Sequence, residues 1–432
     1  MKTGFRRRRA DYSRIITGAC FSIQAVGVGI YISYGVFFNP LLEAFDWPRA
    51  AISGASSAAF FITGLFAMVV GRLNDRFGPR ILMSIAAVFL GLGFGLMSQV
   101  STLFQLYLVF GLIFGIGLSS VDVIALTTIT RWYSRNRGKM TGIVKVGTGA
   151  GQFTIPIIAS FLIAWTGFQN AFIIMGAGAF ILLLAIAQFL HRDPDKYYGA
   201  AAAPDAVTDA ADAEAGAAGA AGPAVTAAFS GIRPVQTAGM DFSQAFKSAK
   251  LWLLCLSYLL TAFCLMSVMI HIVPHARDMG IPPHRAAGVL AAIGAVSMLG
   301  RFASGMLIDR TGSKTIMVIC FVLLLTALAW LTRADALWKL YTFAMVYGIA
   351  HGGFFTAISP IVAELFGIRA HGSLFGIVVF SGTTGGAVGP FVTGFLFDIF
   401  QNYAAAFLVL ICIACIAFGL MLCLRVKKTP GY

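Results

Sequence analysis

Apolar residues in this chain fall in long unbroken runs rather than in alternation. Twelve stretches stand out, at about 15–42, 50–71, 81–99, 103–130, 140–165, 171–190, 251–275, 285–307, 315–332, 338–363, 372–397 and 404–425. A helix rises about 1.5 Å per residue, so roughly 20 apolar residues cross a hydrocarbon core of about 30 Å. Backbone polar groups in lipid are satisfied only in helices or closed barrels. Runs this long do not fit the alternating ten-residue strands of a barrel. The pattern predicts an all-α membrane protein with twelve transmembrane helices.

Composition agrees. Hydrophobic residues make up 59% of the 432 residues, charged residues 11%, and the mean hydropathy is +0.86. A soluble globule needs a polar shell and holds roughly 25% charged residues. A soluble enzyme, a disordered chain and a disulfide-rich secreted scaffold are therefore excluded. All seven cysteines, Cys20, Cys255, Cys264, Cys320, Cys412, Cys415 and Cys423, lie inside apolar runs. That placement favours packing over a metal or redox role, Cys412 and Cys415 included. Neither a metal site nor a cofactor is expected.

The net charge of +14 is explained by topology. With the N-terminus inside, Arg49, Arg277, Arg285, Arg333 and Lys339 fall in outer loops, Lys145 and Arg301 fall within helices, and the other 24 of 31 basic residues lie inside. This asymmetry puts both termini in the cytoplasm, in a plasma (inner) membrane, and leaves no basic cluster to assign to nucleic acid. The basic segment Met1–Arg14 runs into an apolar stretch too long for a signal peptide, so it reads as a retained first span. Residues 191–247 separate the sixth run from the seventh, and their middle is nearly all Ala, Gly, Asp, Pro and Val. This is the composition of a flexible cytoplasmic linker. It divides the chain into six-helix halves at 1–190 and 248–432.

The halves repeat each other. Gly71-Arg-Leu-Asn-Asp-Arg-Phe-Gly-Pro-Arg80 follows the second run, and Gly305-Met-Leu-Ile-Asp-Arg-Thr-Gly-Ser-Lys314 follows the eighth. Glycine, Asp-Arg, glycine and a terminal base recur at identical spacing. A duplicated six-helix unit is a transporter architecture. The two decapeptides resemble the cytoplasmic loop signature of the major facilitator superfamily. That resemblance implies two pseudo-symmetric bundles rocking about a central site, with Asp75, Arg76, Asp309 and Arg310 in a gate that latches the bundles. Loop anchoring by the same charges is the alternative.

A second stretch, from Trp132-Tyr-Ser-Arg-Asn-Arg-Gly-Lys-Met-Thr-Gly142 on to Gly147 and Gly151, resembles the monocarboxylate transporters and their bacterial oxalate/formate antiporter relatives. Tyr34–Phe45 and His271–Gly280 fit the same branch. The resemblance implies a small organic anion as substrate, moved by proton symport or anion exchange. The pattern is incomplete. Ile32 stands where animal members place a lysine, Ser297 where many place an aspartate, and residues 372–398 contain no lysine.

Intramembrane charges narrow the site, because a charge in hydrocarbon is costly and usually faces a cavity or a partner. Arg301 precedes Asp309 by eight residues, roughly 12 Å of helix. A guanidinium stays charged and grips a carboxylate with two parallel bonds. The resemblance places a substrate-binding arginine in this context, Gly300-Arg-Phe-Ala-Ser-Gly305; snorkelling is the alternative. Lys145 and Asp122 lie at equal depth on the adjacent fourth and fifth segments. They form either a structural bridge or a coupling pair in which protonation of Asp122 frees Lys145 for the anion; snorkelling of Lys145 is the third reading. His271 and His351 are the intramembrane histidines, each either structural or functional, with His271 a candidate proton relay near the outer mouth. Tyr31, Tyr34 and Tyr347 are candidate wall residues. Glycines at 142, 147, 151 and along 372–394 allow close helix approach.

Together these features predict a secondary transporter, not an enzyme, moving a small organic anion with a proton or a counter-anion. A monocarboxylate such as lactate or pyruvate leads; a dicarboxylate exchanger or an exporter of drug-like solutes is the alternative. A cation exporter would want more acids inside the spans than Asp122. A pump would need a nucleotide motif of the GxxxxGK[ST] kind, and none occurs. The number of copies in the membrane stays open.

Overall fold

The computed structural model describes residues 2–133, 136–192 and 239–425. Arg135, the low-complexity middle of the predicted linker, and Lys427 and Lys428 lie outside the described residues. Twelve helices are long and apolar enough to span a membrane. They are α1 (Lys2–Phe45), α2 (Arg49–Phe77), α3 (Pro79–Gly95), the composite α4 (Leu103–Trp132), α5 (Arg137–Thr166) and α6 (Phe168–Ala187) in the first half. The second half holds α7 (Ala249–Asp278), α8 (Pro283–Thr311), α9 (Ser313–Leu331), α10 (Leu337–Phe366), α11 (His371–Phe400) and α12 (Tyr403–Cys423). No strand occurs among the described residues. The predicted runs match these helices, which extend past them mainly in polar end turns. Part of the predicted linker is ordered: Phe242–Phe246 forms a short helix, and Asp241 pairs with Arg369 at 3.1 Å.

Helix α4 is irregular. Tyr107–Phe114 adopts a π-helical path between α-helical ends. The wider turn changes which face the following residues present, including Asp122.

Each half packs as one bundle. In the first, α1 lies along α5 and α3 along α6; in the second, α7 lies along α11 and α8 along α10. Two helix pairs make the main contact between the bundles, α2 with α11 and α5 with α8. Both crossings bring backbones together near the face where the two termini lie, Gly71 on Gly372 and Gly138 on Gly305. No comparable packing joins α1 to α7 among the described residues.

The decapeptide repeat accounts for both approaches. A Cβ on Gly71 would lie 2.7 Å from the carbonyl carbon of Gly372, and one on Gly305 would lie 2.7 Å from the carbonyl oxygen of Gly138. A side chain at either position would force the helices apart. The second glycines, Gly78 and Gly312, have φ of 88° and 84° and turn the chain sharply into α3 and α9. Only glycine takes that conformation without strain.

Candidate functional site

Asp122 and Lys145 meet in the first bundle. Lys145 Nζ lies 2.6 Å from Asp122 Oδ1. Gln24 on α1 donates to the same carboxylate oxygen from Nε2 at 2.7 Å, and its Oε1 accepts from the Thr148 hydroxyl at 2.7 Å. Three helices thus hold one carboxylate. The pair is asymmetric in exposure: the side chain of Lys145 keeps 5% and that of Asp122 keeps 37%. The open space therefore lies on the carboxylate side. Tyr258 on α7 and Arg301 on α8, both from the other bundle, lie within electrostatic reach of Asp122.

Arg301 is 4% exposed. Its Nη1 donates to the backbone carbonyl of Lys145 at 3.1 Å, across the bundle boundary, while its Nε is buried without a partner. No described carboxylate forms an ion pair with it. One helical turn earlier, the Ser297 hydroxyl lies 3.0 Å from His351 Nδ1, and His351 Nε2 is a second buried atom without a partner. Gly352 lets the α10 backbone pack directly on Ser297 and Arg301. The sequence put Ser297 where relatives carry an aspartate, and the structure gives that serine a histidine neighbour.

The remaining candidates are dispersed. Tyr34 and Tyr347 donate to the carbonyls of Ile52 at 2.9 Å and Leu265 at 2.6 Å, and both are buried within their own bundles. Tyr31 accepts from the Ser56 hydroxyl at 3.1 Å and stacks beside Phe60 and Phe110. His271 is held at both nitrogens, with Nε2 2.9 Å from the Pro390 carbonyl and Nδ1 3.2 Å from the Tyr403 hydroxyl. These contacts join α7 to α11 and α12 within the second bundle. Gln24, Thr148 and Tyr258 carried no charge signal in the sequence and were not singled out there.

At the termini face the two aspartates cap helices of the opposite bundle. Asp75 accepts from the backbone N–H of Gly372 at 3.1 Å and of Ser373 at 2.8 Å, and from the Ser373 hydroxyl at 2.8 Å. Asp309 accepts from the N–H of Gly138 at 2.6 Å and of Lys139 at 2.8 Å. One constant offset in residue number relates Asp75 to Asp309, Gly71 to Gly305 and Gly138 to Gly372. The first turns of α11 and α5 carry unpaired N–H groups and the positive end of the helix dipole, so a carboxylate suits both. The cross-links differ in the Ser373 hydroxyl, which only Asp75 takes, and within its own bundle Asp75 pairs with Arg131 at 2.7 Å. Arg76 instead lies over the ring of Phe77, 5.2 Å from its centroid, and Arg310 is exposed.

The major facilitator family model matches residues 18–334 and again 276–431. The chain belongs to the Major Facilitator Superfamily. Among curated relatives of this superfamily member, monocarboxylate transporter 13 of Bos taurus is 25% identical over 406 residues, covering 90% of this chain and 84% of that protein. Monocarboxylate transporter 11 of Homo sapiens is 25% identical over 411 residues, covering 91% and 79%. A crystal structure of the human organic anion transporter MFSD10 superposes with a TM-score of 0.69 at 17% identity, covering 95% of this chain and 99% of that one. The major facilitator fold is thus shared with membrane transporters rather than enzymes, and the protein is a multi-pass transporter of this superfamily.

Proposed function

We propose that this transporter carries a small monocarboxylate, of the lactate or pyruvate kind, together with a proton. Arg301 is the carrying observation: a guanidinium buried at the bundle boundary, with an unpartnered Nε and only a neutral carbonyl on Nη1. Desolvating a permanent cation without an anion is costly. An incoming carboxylate would replace the carbonyl with a two-pronged charged contact. His351 Nε2, the other unpartnered atom of the cluster, would meet the keto or hydroxyl oxygen next to that carboxylate.

Charge balance favours a monoanion. Lys145 is neutralised by Asp122, so Arg301 alone is left to offset. Protonation of Asp122 would weaken its hold on Lys145 and leave the site one charge more positive, which favours entry of anion and proton together. The names of the curated relatives support a monocarboxylate as substrate. Transport would proceed by rocking of the bundles, with the Asp75 and Asp309 caps closing the termini face. The Lys/Arg distribution supports cytoplasmic termini.

The test is uptake into proteoliposomes of lactate, pyruvate, formate, oxalate and a neutral amide analogue, with and without an inward proton gradient. The proposal expects saturable, gradient-stimulated uptake of lactate or pyruvate and none of the amide. Oxalate uptake indifferent to the gradient would favour anion exchange and contradict it.

A further inference from the structure

Helix α1 enters the membrane from a strongly basic segment. Residues 1–14 carry Lys2, Arg6, Arg7, Arg8, Arg9 and Arg14 against a single acid, Asp11. At the end of this segment, away from the central network, lies a groove of about 440 Å³ lined by Ser13, Arg14, Thr17, Tyr133, Met140 and Ile143.

The groove is ordered by depth. Its walls are α1 and α5, which both run inward from the termini face. Arg14 is exposed at the mouth, and Tyr133 sits in the turn that precedes α5. The Tyr133 hydroxyl donates to the Ser13 carbonyl at 2.9 Å and lies 2.8 Å from the Thr17 hydroxyl. Burial pushes the Tyr133 phenol above its ordinary range, so it stays a neutral hydroxyl. Met140 and Ile143 lie deeper; Ile143 is six residues into α5, roughly 9 Å along its axis. The mouth is thus cationic and hydroxylated, and the floor is apolar.

We propose that this groove binds an anionic phospholipid of the leaflet on the termini face, with the phosphate at Arg14 and the acyl chain along Met140 and Ile143. The match is in vertical order as well as in charge. A guanidinium fork suits phosphate oxygens. A basic cluster just outside a span attracts anionic headgroups by about 1 kcal/mol for each base near the surface. A soluble anion would gain nothing from the apolar floor, and a zwitterionic lipid would gain little from the basic run. The site is separate from the central cluster and does not depend on which substrate is carried.

The test uses the full chain in a neutral detergent, with its thermal unfolding midpoint followed as phosphatidylglycerol, phosphatidylcholine or inorganic phosphate is added. The expected result is a saturable rise with phosphatidylglycerol alone. Arg14→Gln should raise the half-saturating lipid concentration about fivefold or more. Ile143→Trp, which fills the floor at unchanged net charge, should weaken the response as well. Arg72→Gln, an exposed base elsewhere on the same face, should leave it unchanged. An equal loss in Arg14→Gln and Arg72→Gln, an unchanged response in Ile143→Trp, or an equal response to inorganic phosphate would overturn the proposal.

Discussion

Arg301 on α8 donates through Nη1 to the carbonyl of Lys145 on α5, tying the two bundles at the depth of the Lys145–Asp122 pair. One residue thus links the buried cation of the second bundle to the charge pair of the first. Anything that changes the charge on Asp122 or captures Arg301 acts on both bundles at once. That is the geometry a coupled carrier needs, because the substrate must have different interaction energies with the two access states.

Replacing Asp122 by Asn separates coupling from binding. Lys145 is then buried without its counter-charge, which costs about 1–3 kcal/mol of stability, moderated by the partial exposure of the lost carboxylate. Proton-driven accumulation should disappear, while exchange of internal for external monocarboxylate persists. Adding Lys145→Met should recover thermal stability without recovering accumulation. Gradient-driven accumulation by Asp122→Asn would remove Asp122 from coupling.

The two latch aspartates should act in the same direction with unequal strength. Each carboxylate caps a helix of the other bundle, worth about 1 kcal/mol for the cap and about 0.3–1 kcal/mol for the dipole. Asp75 also takes a third bond across the bundles, from the Ser373 hydroxyl, so Asp75→Asn should open the termini face further than Asp309→Asn does. Distances between spin labels at the ends of α2 and α11, and of α5 and α8, report the populations. An equal shift in both variants would contradict the asymmetry.

Gly71→Ala should open the same face by a different route. The new methyl would meet the Gly372 backbone, which cannot give way as a side chain can. Thiol labelling from the termini face at a cysteine placed beside Arg301 should accelerate about tenfold, corresponding to about 1.4 kcal/mol. The variant should still insert and fold, because both bundles keep their internal packing.

The sequence held the twelve helices, because a span of the hydrocarbon core is a long apolar run and needs no tertiary information. It also held the Asp122–Lys145 pair, since counting residues from a shared turn sets equal depth. Gln24, Thr148 and Tyr258 were not legible. Uncharged polar residues are tolerated in spans, so nothing marked these three among the others. Nor was Arg131 legible as the partner of Asp75. The repeat placed Arg76 in the gate beside Asp75, but consecutive residues on a helix point about 100° apart, and Arg76 turns to Phe77. The donors to the two aspartates are backbone amides at helix starts, which leave no residue-type signature. The aromatic candidates Tyr34 and Tyr347 resemble cavity-lining residues in sequence, yet each hydroxyl is bound to a nearby carbonyl within its own bundle.

The central claim is that Arg301 holds the carboxylate of the carried anion. Calorimetric titration of pyruvate and lactate into the purified protein tests it most directly, with wild type, Arg301→Lys and Arg301→Ala compared at matched thermal stability. Loss of a charged two-pronged contact should weaken binding about 100-fold in Arg301→Ala and less in Arg301→Lys. Unchanged affinity in a folded Arg301→Ala protein would contradict the account.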